Sequence, residues 1–160
     1  MNSKNAKTVP HSIDAEKAVL GCILIDNNSI SSVLEYLSAD SFYDVNNKII
    51  FDAMLVLYEN SQPIDSVNLS NQLKKTKDLD KVGGAYYITG LSQDAPSVSN
   101  SEQYSKIVRE KQILRTIIDT SVEMNQLAYD DHDEISEIVD KAEQHLFGLS
   151  ELTNKKKYQE

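Results

Sequence analysis

Apolar residues in the first 94 positions recur at spacings of three and four, the period of one face of an α-helix. This pattern predicts five helices separated by polar turns. The first stripe is so dense that we expect more than half of its helix to be buried. The five stripes are Ala15, Ala18, Val19, Cys22 and Ile23; Ile30, Val33, Leu34 and Leu37; Ile50, Ala53, Met54, Leu57 and Tyr58; Val67, Leu69 and Leu73; and Ala85, Tyr86, Ile88 and Leu91.

Capping residues stand where these helices should begin. Ser12 is a favourable N-cap, and Asp14 and Glu16 in the following turn suit the positive end of the helix dipole. Further helix boundaries are indicated by the turn signal at residues 26–28, by Asp65 as a cap and by Gly83-Gly84.

A longer pattern follows a polar stretch that contains Pro96. Ser99 and Glu102 have the spacing of a capping box, and from there about thirty residues up to Tyr129 lack Gly and Pro. Residues 130–133 are the only plausible turn before a last helix. Two long helices joined by so short a loop must fold back on each other. Their stripes are Tyr104, Ile107, Val108, Leu114, Ile118 and Val122, and Ile135, Ile138, Val139, Ala142, Leu146 and Leu149.

The sequence therefore predicts an all-α fold, with a helical head of about five to six helices followed by a long antiparallel helical hairpin. The predicted divisions are a flexible leader at residues 1–11, the head at 12–94, the hairpin at 95–151, and at 152–160 a tail or the start of a linker. Because the head has stripes of its own, we expect it to fold without the hairpin.

The apolar face of the predicted hairpin is longer than the head can cover, which suggests that part of it is buried against another chain. Ile117 and Ile118 are adjacent and point about 100° apart on a helix, so they cannot both face one partner helix. The alternative is that this helix is buried on two sides within one chain. Residues 104–115 carry four basic side chains and one acidic, whereas residues 130–151 carry eight acidic and one basic. These opposite charges could pair within one hairpin or between two.

Composition narrows the class of protein. The 160 residues are 40% hydrophobic with only 5 Gly and 3 Pro, which suits a packed helical fold. A net charge of −9 argues against tight binding of nucleic acid by this chain alone. Cys22 is the single cysteine and lies among apolar residues, so we expect a buried, unreactive thiol. Neither a secretory signal nor an apolar run of membrane-spanning length is evident, so a cytoplasmic protein without membrane association is expected.

Motifs that carry chemistry are missing from the sequence. It contains neither a phosphate loop of the form GxxxxGK[ST] nor GxGxxG nor HExxH. The three histidines are far apart, and the acidic residues at 130–134 lack the glycine and distal glutamate of a calcium loop. We therefore predict no catalytic residue, no cofactor and no metal site in this chain. Any role of His132 and the 130–134 turn stays open.

Several stretches resemble the N-terminal region of bacterial DnaB-type replicative DNA helicases. The resemblance runs in order and spacing from about residue 9 to residue 151. It departs at Val45, where the family often has proline, and at Asn47, where it often has histidine. The stretches are VPHSIDAE and AVLG (9–21), DSFY (40–43), IFDA (50–53), QPID (62–65), VGGAYY (82–87), APS (95–97), YSKIVREK (104–111) and DKAEQ (140–144).

This resemblance implies a function in DNA replication. Such domains associate as dimers through their hairpins, and three dimers form the collar of a hexameric ring that encircles single-stranded DNA. The resemblance further implies that the whole protein is an ATP-driven helicase that moves 5′ to 3′. Its RecA-like motor domain, which this sequence lacks, would hold ATP and Mg. Primase docks on the collar, and helicase loaders act on the ring. An end shortly after the last helix suggests an excised domain.

Six residues are predicted to contact partners. Tyr87 is expected to be the outward member of the adjacent pair Tyr86-Tyr87, and either Ile117 or Ile118 the outward member of the second pair. Arg109 lies within the basic stretch. The six residues are Asp14, Tyr87, Arg109, Ile117, Ile118 and Met124. Two alternatives compete with a helicase collar: a stand-alone helical adaptor without a motor, and a helical-bundle enzyme whose site the motifs do not reveal. The missing catalytic motifs count against the second.

Overall fold

The computed structural model describes residues 7–130 and 133–154. These residues form helices joined by turns and loops, without β-strands, so the predicted all-α class is confirmed. The α-helices found there are α1 (Ile13–Ile25), α2 (Ser29–Leu34), α3 (Val45–Glu59), α4 (Ser66–Lys75), α5 (Gly84–Gln93), α6 (Ser101–Tyr129) and α7 (Ile135–Asn154), with short 3-10 turns at Ala39–Ser41 and Val98–Asn100. None of the described helices is long and apolar enough to cross a membrane.

The chain divides into two compact units. The head unit extends from His11 to Glu110, and the hairpin unit comprises the residues before His11 and after Glu110. The division falls inside the continuous helix α6, so the head unit includes the first turns of that helix. The boundary that we predicted near residue 94 remains a prediction about independent folding.

The head unit contains a continuous apolar core contributed by α1 to α5, and Val108 of α6 is buried in it as well. As predicted, α1 is buried over most of its surface. Gly21 allows α1 to approach α5 closely, since a Cβ there would lie 2.2 Å from the Leu91 carbonyl oxygen. The largest apolar side chains that are fully buried in this core are Phe51, Leu20, Ile23, Ile30, Ile50, Met54, Ile64, Leu69, Leu73 and Ile88.

Local capping follows the predicted chemistry at three helices. The Ser12 side chain accepts a hydrogen bond from the Ala15 amide at 3.3 Å. Asp65 accepts from the Asn68 amide at 2.8 Å and caps α4. Gly83 has a φ of +107°, a conformation that favours glycine, and provides the N-cap of α5.

Several expectations were wrong in detail. Val67, Tyr58 and Tyr86, which match the predicted apolar stripes, are exposed. The capping box at Ser99 and Glu102 is not formed: α6 begins at Ser101, after a 3-10 turn that contains Ser99.

The hairpin unit consists mainly of the distal part of α6 and of α7. The two helices are antiparallel, and His145 Nδ1 of α7 lies 2.9 Å from Glu123 Oε2 of α6. Part of the predicted turn, including His132, lies outside the described residues, as do the start of the leader and the tail beyond Asn154.

Candidate protein-interaction surfaces

A groove of about 1100 Å³ crosses the head unit between α1, α5 and the start of α6. Its apolar walls include Leu91, Tyr104 and Ile107. Two of the predicted contact residues, Asp14 and Tyr87, both line it although they are 73 positions apart in the sequence. The fold therefore places them on one surface, as partner-binding residues require.

The tyrosine pair at the groove is oriented opposite to our expectation. Tyr86 is the outward member, with 92% of its side chain exposed. Tyr87 is half-buried and packs against the head core. Its hydroxyl donates a hydrogen bond to Asn47 Oδ1 at 3.1 Å. Tyr87 thus forms a fixed wall of the groove, and its role as a partner contact remains a prediction.

Behind Tyr87 lies a buried polar network centred on Glu16. Its carboxylate accepts hydrogen bonds from the Tyr43 amide at 2.6 Å and the Asp44 amide at 3.3 Å. It also accepts one from Asn47 Nδ2 at 3.0 Å. Glu16 and Asn47 are both essentially inaccessible to solvent. The hydrogen bonds to α3 and its preceding loop compensate for the burial of this polar group.

Sequence reasoning missed this network. Glu16 was assigned only to the helix dipole, and Asn47 only to a departure from the family pattern. A signal was nevertheless present, because Glu16 shares a helix face with Val19, Leu20 and Ile23 at spacings of three, four and seven. An acidic residue on a fully apolar face indicates a buried carboxylate with dedicated donors.

The environment of Tyr87 favours its neutral form. Burial raises the pKa of the phenol, and the nearby carboxylates of Asp44 and Glu16 raise it further. A phenol ordinarily titrates near pH 10, so the hydroxyl hydrogen is retained at neutral pH.

A cluster around Tyr36 ties the loop after α2 to the first turns of α6. The Tyr36 hydroxyl donates a short hydrogen bond to Glu102 Oε1, and the Lys106 ammonium lies 5.7 Å from the ring centroid. Arg109 Nη1 donates to the Tyr36 carbonyl oxygen at 2.8 Å. Arg109 is therefore engaged inside the head unit, which gives it a structural role beside the partner contact that we predicted.

The hairpin unit exposes its apolar stripe. Ile117 and Ile118 are 46% and 39% exposed, so the alternative in which this helix is buried on two sides within one chain is wrong. Met124, the remaining predicted contact, is half-buried. No residue of α7 is buried. The large apolar side chains exposed on this unit are Leu114, Ile117, Ile118, Val122, Tyr129, Ile135, Val139, Leu146 and Phe147, and we call this set the hairpin stripe.

Charged groups of the hairpin unit take part in local contacts. Lys141 pairs with Asp133 next to the start of α7. Arg115 Nη1 donates to the Pro10 carbonyl oxygen at 2.9 Å. The pairing between basic and acidic stretches that the charge pattern suggested remains a prediction for contacts between chains.

Other candidate chemistry receives no geometric support. Cys22 is buried, and burial raises the pKa of its thiol, which disfavours the reactive thiolate. Over the described residues there is no group of three His, Cys, Asp or Glu side chains placed to hold a metal ion.

Comparison with known sequences assigns the family. The sequence model of the DnaB-like helicase N terminal domain matches residues 8–110. Replicative DNA helicase DnaC of Bacillus subtilis is 35% identical over 155 residues, which cover 97% of this chain and 34% of that protein. Replicative DNA helicase DnaB of Pasteurella multocida is 40% identical over 143 residues, covering 89% of this chain and 31% of that protein. The chain thus spans about a third of the length of these relatives.

Solved structures agree with this assignment. The N-terminal domain of DnaB helicase from Mycobacterium tuberculosis matches with a TM-score of 0.82 and 31% identity, covering 88% of this chain and 99% of that one. A DnaB-like replicative helicase, described with its interactions with primase, shares the fold with a TM-score of 0.70 and 22% identity over 84% of this chain and 31% of that one. The fold is that of a DnaB helicase N-terminal domain. The chain belongs to the family of DnaB-like helicase N-terminal domains.

Proposed function

We propose that this chain acts as the N-terminal collar domain of a replicative DNA helicase, where it serves ring assembly and the docking of partner proteins. The observation that carries the proposal is the hairpin stripe. Phe147 and Ile135 are 65% and 77% exposed, and their helix has no buried residue. An apolar surface of this extent is typical of a protein interface.

The hairpin stripe supports self-association through the hairpins. A twofold dimer presents the same surface on both subunits, so one apolar face can cover its own copy. Three such dimers would complete the hexameric collar that the family resemblance implies. Polar and charged residues around the stripe would set the register and contribute modestly to stability.

The head groove supports docking of a second protein. In the proposed role this partner is the primase, and it contacts the groove at Asp14 and Tyr87 and the hairpin at Met124 and either Ile117 or Ile118. A helicase loader would act on the assembled ring. The similar DnaB-like helicase is described as interacting with primase, which agrees with this assignment without locating the contact on this chain.

ATP hydrolysis and DNA unwinding belong in this proposal to a motor domain elsewhere in the whole protein. There ATP and Mg would bind, and the ring would move 5′ to 3′ on single-stranded DNA. The phosphate-loop motif is missing from this sequence, so we expect this chain to catalyse no reaction. With a net charge of −9, it would guide DNA by enclosing it, with little affinity of its own.

Light scattering over a concentration series tests the proposal. We expect the full chain to be dimeric or larger at tens of micromolar, and the double variant Ile117→Glu/Ile118→Glu to be monomeric with an unchanged helical signal. Val67→Glu is the control, because Val67 is an apolar residue of the head that is even more exposed, at 70%. A chain that stays monomeric at millimolar concentration would refute the proposal, and so would a control that dissociates as readily as the hairpin variant.

A stand-alone adaptor is the alternative function. The reading frame that contains this chain distinguishes the adaptor from the helicase collar. A frame that continues into a domain with a phosphate loop supports the helicase collar, whereas a stop codon directly after the hairpin supports the adaptor.

A further inference from the structure

Two of the five hydroxyl-bearing residues that line the head groove, Tyr87 and Thr89, use their hydrogen within the protein. Tyr87 Oη donates to Asn47 Oδ1 at 3.1 Å, and Thr89 Oγ1 donates to the Ala85 carbonyl oxygen at 2.9 Å. A hydroxyl has one hydrogen and two lone pairs. What these two groups can still offer to a ligand in the groove is therefore hydrogen-bond acceptance.

Glu16 fixes the direction of the hydrogen bond at Tyr87. Both Glu16 oxygens accept from backbone amides, of Tyr43 and Asp44, and Asn47 Nδ2 donates to Glu16 Oε2 at 3.0 Å. That orientation leaves Asn47 Oδ1 facing Tyr87, and an amide oxygen only accepts. The phenol is then the donor, and its oxygen lone pairs remain available to accept a hydrogen bond.

The charged groups of the groove point to the same kind of ligand. Asp14 and Asp94 contribute two carboxylates, and neither forms an ion pair among the described residues. Lys17 contributes one ammonium, which lies over the face of the Tyr87 ring, 5.7 Å from its centroid. The lining thus carries two carboxylates against one ammonium, and its walls are apolar.

We propose that Glu16 is a positioning residue that makes the head groove selective for an apolar segment bearing a cationic group, such as a helix with a lysine or arginine among its apolar residues. This inference rests on the proposed function only in treating the groove as a docking surface. It adds the chemistry of the partner and assigns the selectivity to a buried residue that no ligand would touch.

Fragment binding to the full chain tests the selectivity directly. Two probes of nearly equal shape, 2-phenylethylammonium and 2-phenylethanol, are titrated separately and followed by the amide NMR signals of Tyr87 and Gly90. We expect the cation to bind at least about fivefold more tightly, because charge-assisted hydrogen bonds are roughly twice as strong as neutral ones. Equal affinities, a preference for the alcohol, or signal changes confined to other surfaces would overturn the proposal.

Variants then distinguish the two proposed sources of selectivity, the carboxylates of Asp14 and Asp94 and the acceptor oxygen of Tyr87. Asp14→Asn/Asp94→Asn should reduce the preference by removing charge, whereas Asp119→Asn, on the exposed face of the hairpin unit, should leave it unchanged. Glu16→Gln allows the Asn47 amide to turn over and the Tyr87 hydroxyl to point outward, so the preference should fall at least about twofold with little loss of affinity for the alcohol.

Tyr87→Phe provides the same test should Glu16→Gln fail to fold, since it removes the acceptor itself. Tyr58→Phe is its matched control, on an exposed tyrosine of the head outside the groove lining. An undiminished preference in both Glu16→Gln and Tyr87→Phe would refute the role of Glu16 even if the groove still favours cations. These titrations involve neither primase nor self-association, so the inference and the collar function can fail separately.

Discussion

The two compact units of this chain differ in how they bury apolar residues. In the head, five helices enclose a continuous core that includes Phe51, Leu20 and Ile88. In the hairpin unit α7 has no buried residue, and the hairpin stripe on its two helices is exposed to solvent. Apolar stripes of similar strength in the sequence thus differ in the structure: those of the head are buried within the chain, and that of the hairpin unit stays exposed.

This difference shows that an amphipathic pattern predicts a buried helix face but does not indicate whether the same chain or another chain covers it. A helix pair can bury only the sides that face each other, whereas several helices packed around a centre leave few apolar positions outside. We therefore expect the stability of the head to be a property of the single chain and that of the hairpin to depend on concentration. The following predictions test this contrast, beginning with the largest effect.

Substitution of Gly21 by alanine should cost the head about 3 kcal/mol or more. The added Cβ would lie 2.2 Å from the Leu91 carbonyl oxygen and 2.7 Å from Ala95 Cβ, so α1 and α5 would have to separate. Gly90→Ala is the control, because a Cβ there meets nothing within 4 Å and alanine favours the helix. Urea unfolding followed by circular dichroism measures both, and equal stabilities would contradict the close approach of the two helices.

Truncation after Asp94 should destabilise the head by about 2–3 kcal/mol relative to truncation after Glu110. The shorter fragment loses Val108, which is buried in the core, and Tyr104, which packs against it. This sharpens our expectation that residues 12–94 fold alone: we expect both fragments to fold, the longer one with a clearly higher urea midpoint. If the two midpoints coincide, the first turns of α6 contribute nothing to the head.

Removal of the Tyr36 hydroxyl should cost about 1 kcal/mol, the typical value of one hydrogen bond. Tyr36→Phe keeps the ring over which Lys106 lies but loses the bond to Glu102. Tyr86→Phe serves as the control, since its side chain is 92% exposed and should change stability by less than about 0.5 kcal/mol. Thermal unfolding of the two variants and the parent chain measures the difference. A Tyr36→Phe variant as stable as the control would show that the Tyr36 cluster does not contribute to stability.

Gly148→Ala should have the smallest effect, a gain of about half a kcal/mol in helix stability. A Cβ at this position meets nothing within 4 Å in the single chain. The gain should appear as increased helical signal at low micromolar concentration, where the hairpin lacks its partner. If the variant instead loses helicity there, α7 is already packed within the single chain.

The fold was largely predictable, because periodicity, caps and breakers all agreed on the number and order of the helices. The errors occurred where tertiary packing decides the rotation of a helix. Tyr86 and Val67 matched a stripe in the sequence and yet face solvent. The candidate surfaces were predictable only in part: Asp14 and Tyr87 do share a groove, but the network of Glu16 and Asn47 depends on contacts between residues about thirty positions apart.

Hydrogen exchange at two protein concentrations tests the contrast between head and hairpin most directly. The free energy of opening should be independent of concentration for amides of α1 to α5. For amides in the distal part of α6 and in α7 it should rise between about one and one hundred micromolar, as association covers the hairpin stripe. Hairpin amides that are as strongly protected as the head when light scattering shows a monomer, or that do not respond to concentration, would contradict the account.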